Sequence, residues 1–285
     1  MGKLQEQMKA DLTLKGYSPH TLAGYLICCR KFAQHFNRSP EEMGHEEIRA
    51  FLLYLAEEKQ ICAGSQKAYL SALKFLYRYT LNRPEEVENI PNPKLPVKLP
   101  LLLSRQEVLA IFEAIANIKH KAMIATTYGA GLRISEVCAL RKSDIDSQRM
   151  RIYVQLGKGK KDRFALLSPM VLELLRQYYR KVCPKGHWLF PGQNPKKHLT
   201  TNCIHRIIKK AVIKVGINKK ASMHSLRHAF ATHLLENGTD IRFVQALLGH
   251  ASIRSTVRYL HISNAYLYQI ESPWDVLQKE KEQGG

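Results

Sequence analysis

Apolar residues recur at helical spacing through most of the chain, and the interruptions fall where caps and prolines stand. In "SPEEMGHEEIRAFLLYLAEEK" Ile48, Phe51, Leu52 and Leu55 form one stripe, and Tyr69, Leu73, Leu76 and Tyr77 form another in the next segment. Ser18 and Pro19 open "SPHTLAGYLICCRKFAQHF" with an N-cap oxygen and a residue suited to a first helical turn, and Ser39 and Pro40 repeat the device. Residues 1–88 therefore read as a small helical bundle. Pro91, Pro93, Pro96 and Pro100 then remove backbone donors and favour extended chain, which marks 89–103 as a linker. At 104–107 "SRQE" is a capping box, with Val108, Ile111, Phe112 and Ile115 on the face that follows. The helical period breaks at "RIYVQ" and "DRFALL", which flank the glycine-containing "GKGK" and predict a β-hairpin. Helices resume at Pro169, with Thr200, Ser222, Thr239 and Ser252 as expected caps and Gly238 and Gly249 as expected stops. The fold class is mainly α with a small antiparallel β-sheet, and the second domain covers 104–285.

Length and charge narrow what such a fold is for. With 285 residues, 45% of them apolar, each of two domains has material for a core. The formal net charge is +20, and it is unevenly placed: residues 1–90 hold 12 Lys and Arg against 11 Asp and Glu, while 91–285 hold 32 against 13. That excess calls for a polyanionic partner, and nucleic acid is the leading one. The six cysteines contain no C-x-x-C pair and read as reduced core thiols. The N-terminus has no apolar run of the signal-peptide kind, and no apolar stretch is long enough to span a bilayer, so a cytoplasmic protein without a membrane anchor is expected.

The basic and nucleophilic residues then define the candidate chemistry. Arg133 in "GLRISE" follows a glycine turn and opens a helix, where a planar guanidinium and the helix dipole both favour a phosphate. His224 and Arg227 in "HSLRH" lie three apart and share a helical face. Lys158 stands in the hairpin turn, where an ammonium group suits protonation of a leaving oxygen; Lys160 and Lys161 leave that choice open along the hairpin. His250 follows "LLG" at a helix end, and Tyr259 comes nine residues later. A tyrosine attacks only once its proton is drawn off or its oxygen is stabilised by nearby cations. Taken singly, each residue also has an ordinary structural reading: a surface arginine, a satisfied histidine, or a tyrosine ring packed beside Val257 and Leu260. A zinc site on His224, His228 and His233 is disfavoured, because H-E-x-x-H needs Glu where Ser225 stands. Asp144 and Asp146 read as a turn and helix-end feature.

In order and context, "GLRISE", a lysine hairpin, "HSLRH", "LLGH" and the tyrosine resemble the tyrosine recombinases of the phage-integrase family, and the opening helices resemble the core-binding domain of the Xer type. The resemblance implies an N-terminal core-binding domain and an α+β catalytic domain that can clamp a duplex, with the segment after Tyr259 docking on a neighbouring subunit. It implies a site-specific recombinase that cuts and rejoins double-stranded DNA through a 3′-phosphotyrosyl intermediate, for integration, excision or dimer resolution. Arg133, Lys158, His224, Arg227 and His250 would be the active-site cations and donors, Tyr259 the nucleophile and Glu136 a supporting carboxylate, with His228 left structural. No cofactor is implied, neither ATP nor a divalent metal. The implied assembly is a homotetramer, or a heterotetramer with a related recombinase, on synapsed sites in the bacterial cytoplasm at the nucleoid. A type IB topoisomerase and a non-catalytic helix-turn-helix binder fit parts of the pattern. The first is disfavoured because its usual extensions are missing, the second because six suitable residue types cluster. The start of the chain at the core-binding helices also argues against an additional arm-binding domain.

Overall fold

The computed structural model describes residues 2–95, 101–155, 162–257, 259–260 and 274, and the chain divides into two compact units, Met1–Lys98 and Leu99–Gly285. The hairpin tip at 156–161, with Lys158, Lys160 and Lys161, lies outside the described residues, as does the tail from 261 onward apart from Trp274.

The first unit is helical throughout its regular structure: α1 (Gly2–Leu14), α2 (Pro19–Phe36), α3 (His45–Glu57), α4 (Ala63–Phe75) and the short α5 (Glu85–Glu88). Leu4, Met8 and Leu12 repeat every four residues, so one face of α1 meets Phe32, Ile48, Phe51, Leu73 and Tyr77 in a single core. Ser18 caps α2 as expected, its Oγ accepting from the Thr21 N–H at 3.1 Å. Ser39 and Pro40 do something different. Pro40–Glu42 makes one 3₁₀ turn, Met43 returns to extended backbone, and α3 starts afresh at His45. The cause is tertiary, because the Tyr77 hydroxyl donates to the Pro40 and Met43 carbonyls at 2.9 and 3.2 Å and fixes the turn before a helix can continue. Gly44 has no capping side chain, and the Glu47 carboxylate accepts from its N–H at 2.9 Å instead.

The second unit contains α6 (Arg105–Glu113), α7 (Ile118–Ala130), α8 (Ile134–Cys138), β1 (Ile145–Asp146), β2 (Arg151–Val154) and β3 (Arg163–Leu166). It continues with α9 (Pro169–Val182), α10 (Thr201–Lys214), α11 (Met223–Glu236), α12 (Ile241–Leu248) and α13 (Arg254–Val257). The sheet is antiparallel in the order β1-β2-β3, with Ile152 opposite Ala165 and Val154 opposite Arg163. Ile152, Val154 and Ala165 face the core, so the two-residue period turns Arg163 inward as well. The buried helix α7 packs against both α9 and α11, and α12 packs against α11 and β3.

Local signals set most helix starts here. The "SRQE" box forms, with the Ser104 N–H donating to Glu107 Oε2 at 2.8 Å and the Glu107 N–H to Ser104 Oγ at 3.1 Å. Thr200 and Ser222 cap α10 and α11. Thr239 does not cap α12; Asp240 does, accepting from the Arg242 N–H at 2.6 Å, a carboxylate being the better match for the positive helix end. All six cysteines are free thiols, but the reading of them as core groups holds only in part: Cys29 and Cys138 are buried, whereas Cys62 and Cys183 are exposed because they terminate helices at the surface. No described helix is long and apolar enough to cross a membrane.

Candidate active site

The site grows from the end of α7. Gly131 closes that helix at φ +61°, a left-handed conformation suited to glycine, and a Cβ there would run into the Phe230 ring. The turn brings Arg133 to the N-cap of α8 with extended backbone. Its backbone N–H donates to Glu136 Oε2 at 2.8 Å, and its guanidinium reaches Glu136 Oε1 at 2.6 Å and the Gly249 carbonyl at 3.3 Å.

Glu136 is the centre of the cluster. Arg163, turned inward by β3, grips the same carboxylate with both arms of its fork at 2.8 and 2.7 Å, and Arg227 approaches Oε2 to 3.8 Å. Burial alone would raise the Glu136 carboxyl, but the hydrogen bonds and charge of Arg163, followed by those of Arg133, bring it down to about 2. Three guanidiniums thus share one carboxylate, and positive charge is in excess. An anion completes such a site.

Arg227 is 1% exposed, a burial that requires its donors to be used. They go to the carbonyls that end two other helices, Gly131 and Leu248, each at 2.6 Å. Burial lowers its proton affinity to about 10, Arg133 pushing the same way and Glu136 opposing. His250 follows Gly249, the left-handed stop of α12, with Nε2 at 3.3 Å from the Arg227 guanidinium and Nδ1 at 2.9 Å from the Thr256 hydroxyl. Its ring lies nearly parallel to that of Tyr259, the centroids 6.4 Å apart. Tyr259 is 2% exposed and packs with Phe230, Leu235, Val244 and Leu248.

The fold therefore gathers Arg133, Glu136, Arg227, His250 and Tyr259 around one point. His224 sits on the exposed side of α11 with its ring 4.2 Å from that of His228. Lys158 lies outside the described residues. Among the described residues, no group of three or more His, Cys, Asp or Glu side chains is arranged to hold a metal ion, and His233 instead meets the Tyr128 hydroxyl at 2.9 Å.

Two residues join the site that sequence reading missed. Arg163 carried a usable signal, since it stands two residues before the inward-facing Ala165 on a strand and a buried arginine demands a carboxylate. His228, which the family resemblance leaves structural, has its Nδ1 2.8 Å from the Tyr259 hydroxyl. Its position four residues after His224 placed it on the right helical face, but nothing in the sequence showed that the tyrosine would fold back onto it.

Comparison with known proteins gives the family. Residues 102–265 match the phage integrase family, and residues 4–86 match the phage integrase N-terminal SAM-like domain. A protein of Sinorhizobium fredii named as an integrase/recombinase is 42% identical over 97% of this chain and 90% of its own length. The tyrosine recombinase XerA of Pyrococcus horikoshii is 33% identical, covering 92% of this chain and 90% of that protein. Among solved structures, a XerA recombinase aligns with a TM-score of 0.55 at 29% identity over 94% of this chain and 96% of that one. The fold alone is also shared with a XerH site-specific recombinase, with a TM-score of 0.73 at 24% identity over 89% of this chain and 80% of that one. On these grounds the chain belongs to the phage integrase family and is a tyrosine recombinase.

Proposed function

We propose that Tyr259 is the nucleophile with which this site-specific recombinase cuts double-stranded DNA, its phenolic oxygen displacing the 5′ oxygen and leaving a 3′-phosphotyrosyl bond. Arg133 and Arg227 clamp the non-bridging oxygens, where charge builds in the transition state, and Glu136 holds the two arginines in register. Lys158 protonates the departing 5′ oxygen, while His224 and His250 assist by hydrogen bonding and proton transfer. Because one phosphate ester replaces another, rejoining needs no external energy source. The enzyme works as a tetramer of itself or with a related recombinase, on two synapsed duplexes, in the bacterial cytoplasm at the nucleoid. Residues 1–88 serve as the core-binding domain, 89–103 as the linker and 104–285 as the catalytic domain. The observation that carries this reading is the meeting of Arg133 and Arg227 on Glu136, with His250 reaching from Arg227 toward the ring of Tyr259.

A duplex carrying a nick near the cleavage point traps the covalent adduct and tests the reading. Tyr259→Phe abolishes the adduct while duplex affinity stays close to that of the parent, since affinity comes mostly from phosphate contacts. Adducts persisting in Tyr259→Phe move the nucleophile elsewhere. Lys158→Ala is slow on ordinary DNA and regains its rate when the bridging 5′ oxygen is replaced by sulfur, because a thiolate leaves without a proton; Arg133→Ala gains nothing from the same exchange. No rescue of Lys158→Ala removes that lysine from the acid role.

A further inference from the structure

The reaction asks one question that the residues above leave open: where does the proton of Tyr259 go? A phenol of ordinary pKa near 10 is ionised in only about one molecule in a thousand at neutral pH, so attack on phosphorus requires a group that takes the proton as the bond forms. Such a group has to lie within hydrogen-bond reach of the oxygen. His250 is the nearer neighbour in the chain, but its Nε2 meets the Arg227 guanidinium and its Nδ1 the Thr256 hydroxyl, so neither nitrogen is aimed at the phenol. His228 is placed differently. Its Nδ1 stands 2.8 Å from the Tyr259 oxygen, with the ring centroids 5.3 Å apart.

Helix α11 makes this placement firm. Arg227, one residue earlier, is fixed by the carbonyls of Gly131 and Leu248, and Ala229 and Phe230 on the other side are buried in the cores. The backbone carrying His228 is thus held from both directions. The packing of Tyr259 against Phe230 and Leu248 fixes the phenol relative to the same helix. Base and nucleophile stand on one rigid frame.

We propose that His228 is the proton acceptor for Tyr259. The step rests on Tyr259 being the nucleophile. In it, a lone pair of the phenolic oxygen forms the bond to phosphorus, the phenolic proton passes to His228 Nδ1, and the bond from phosphorus to the 5′ oxygen breaks with its electron pair on oxygen. That oxygen receives a proton from the general acid, assigned above to Lys158. His228 ends as imidazolium and the acid as its conjugate base, so rejoining runs the same transfers backwards. Among the described residues, the titratable and charged groups facing the pair are His224 and Arg227 from α11 and His250 from the turn after α12. Behind Arg227 stand Glu136 and Arg133 at α8 and Arg163 from β3.

The test is the single-turnover rate of adduct formation on nicked duplex from pH 6 to 10, using the full chain and its His228→Ala and His228→Asn variants. Asparagine keeps an acceptor close to where Nδ1 stands but takes up no proton. Both variants should be slower by about a hundredfold or more at pH 7, the ordinary scale of a lost general base, with duplex affinity unchanged. The deficit should shrink as the pH rises, because hydroxide increasingly takes the phenolic proton in place of the histidine. A His228→Asn rate within a few-fold of the parent at pH 7 shows that the histidine only positions the tyrosine, and overturns the proposal. So does a deficit of equal size at every pH. Tyr259→Phe run alongside keeps the two claims apart: loss of its adduct with a fast His228→Asn rejects the base alone, whereas adducts surviving in Tyr259→Phe reject the nucleophile.

Discussion

At the scale of single residues, Glu136 is the group on which the others depend. Its folded pKa of about 2 lies below the ordinary 4.5, so the stability it contributes is complete above about pH 4.5 and is lost as the pH falls through 2. The shift corresponds to about 3 kcal/mol. Glu136→Gln should lose about 3–5 kcal/mol at pH 7, because the guanidiniums of Arg133, Arg163 and the buried Arg227 are left without their shared counterion. The gap between variant and parent should then narrow between about pH 4.5 and 2, as the parent gives up what the variant never had. Urea unfolding followed across that range measures it, and a gap constant with pH removes Glu136 from this role. The arginines, His250 and Tyr259 were legible because each sits in a short motif whose residue type matches phosphate chemistry. Arg163 shows in the sequence only as an inward-turned arginine in need of a carboxylate and His228 not at all, because their partners Glu136 and Tyr259 lie 27 and 31 residues away along the chain.

At the scale of elements, local rules and tertiary contacts decide different helix ends. Ser18, Ser104, Thr200 and Ser222 cap as their sequence neighbourhoods predict, since cap and capped N–H are only three residues apart. The start of α3 falls at His45 and not after Ser39 because Tyr77, remote in sequence, holds the intervening turn. The end of α12 matters most for the site. Gly249 has φ +61°, its carbonyl accepts from Arg133, and a Cβ there would stand 2.6 Å from Cδ of Arg163. Gly249→Ala should therefore cost about 1–2 kcal/mol from backbone strain and also push Arg163 off Glu136. Gly238→Ala is the control: φ is +82°, but a Cβ would meet nothing within 4 Å. Gly249→Ala should lose more stability than Gly238→Ala in denaturant unfolding, because it also disturbs the Arg163–Glu136 pair, and only Gly249→Ala should lose adduct formation. Equal activity in the two would show that the close approach to Arg163 has no catalytic effect.

At the scale of the whole molecule, charge and catalysis are organised differently. The positive excess is spread over residues 91–285, whereas the site draws its parts from seven separate positions from Arg133 to Tyr259. Duplex affinity of the full chain should fall steeply with salt, with a slope of about 0.9 for each phosphate neutralised, and substitutions that keep the arginine charges should leave that slope alone. A shallow slope would mean that the excess charge does not touch the backbone of DNA. The buried guanidinium of Arg227 adds something to this contrast, because its two shortest bonds tie together the ends of α7 and α12. A chain cut short before residue 248 has no Leu248 carbonyl to seat the arginine, and it also lacks the tyrosine proposed above as the nucleophile. Such a fragment should form no covalent adduct on a nicked duplex, whatever basic charge it keeps.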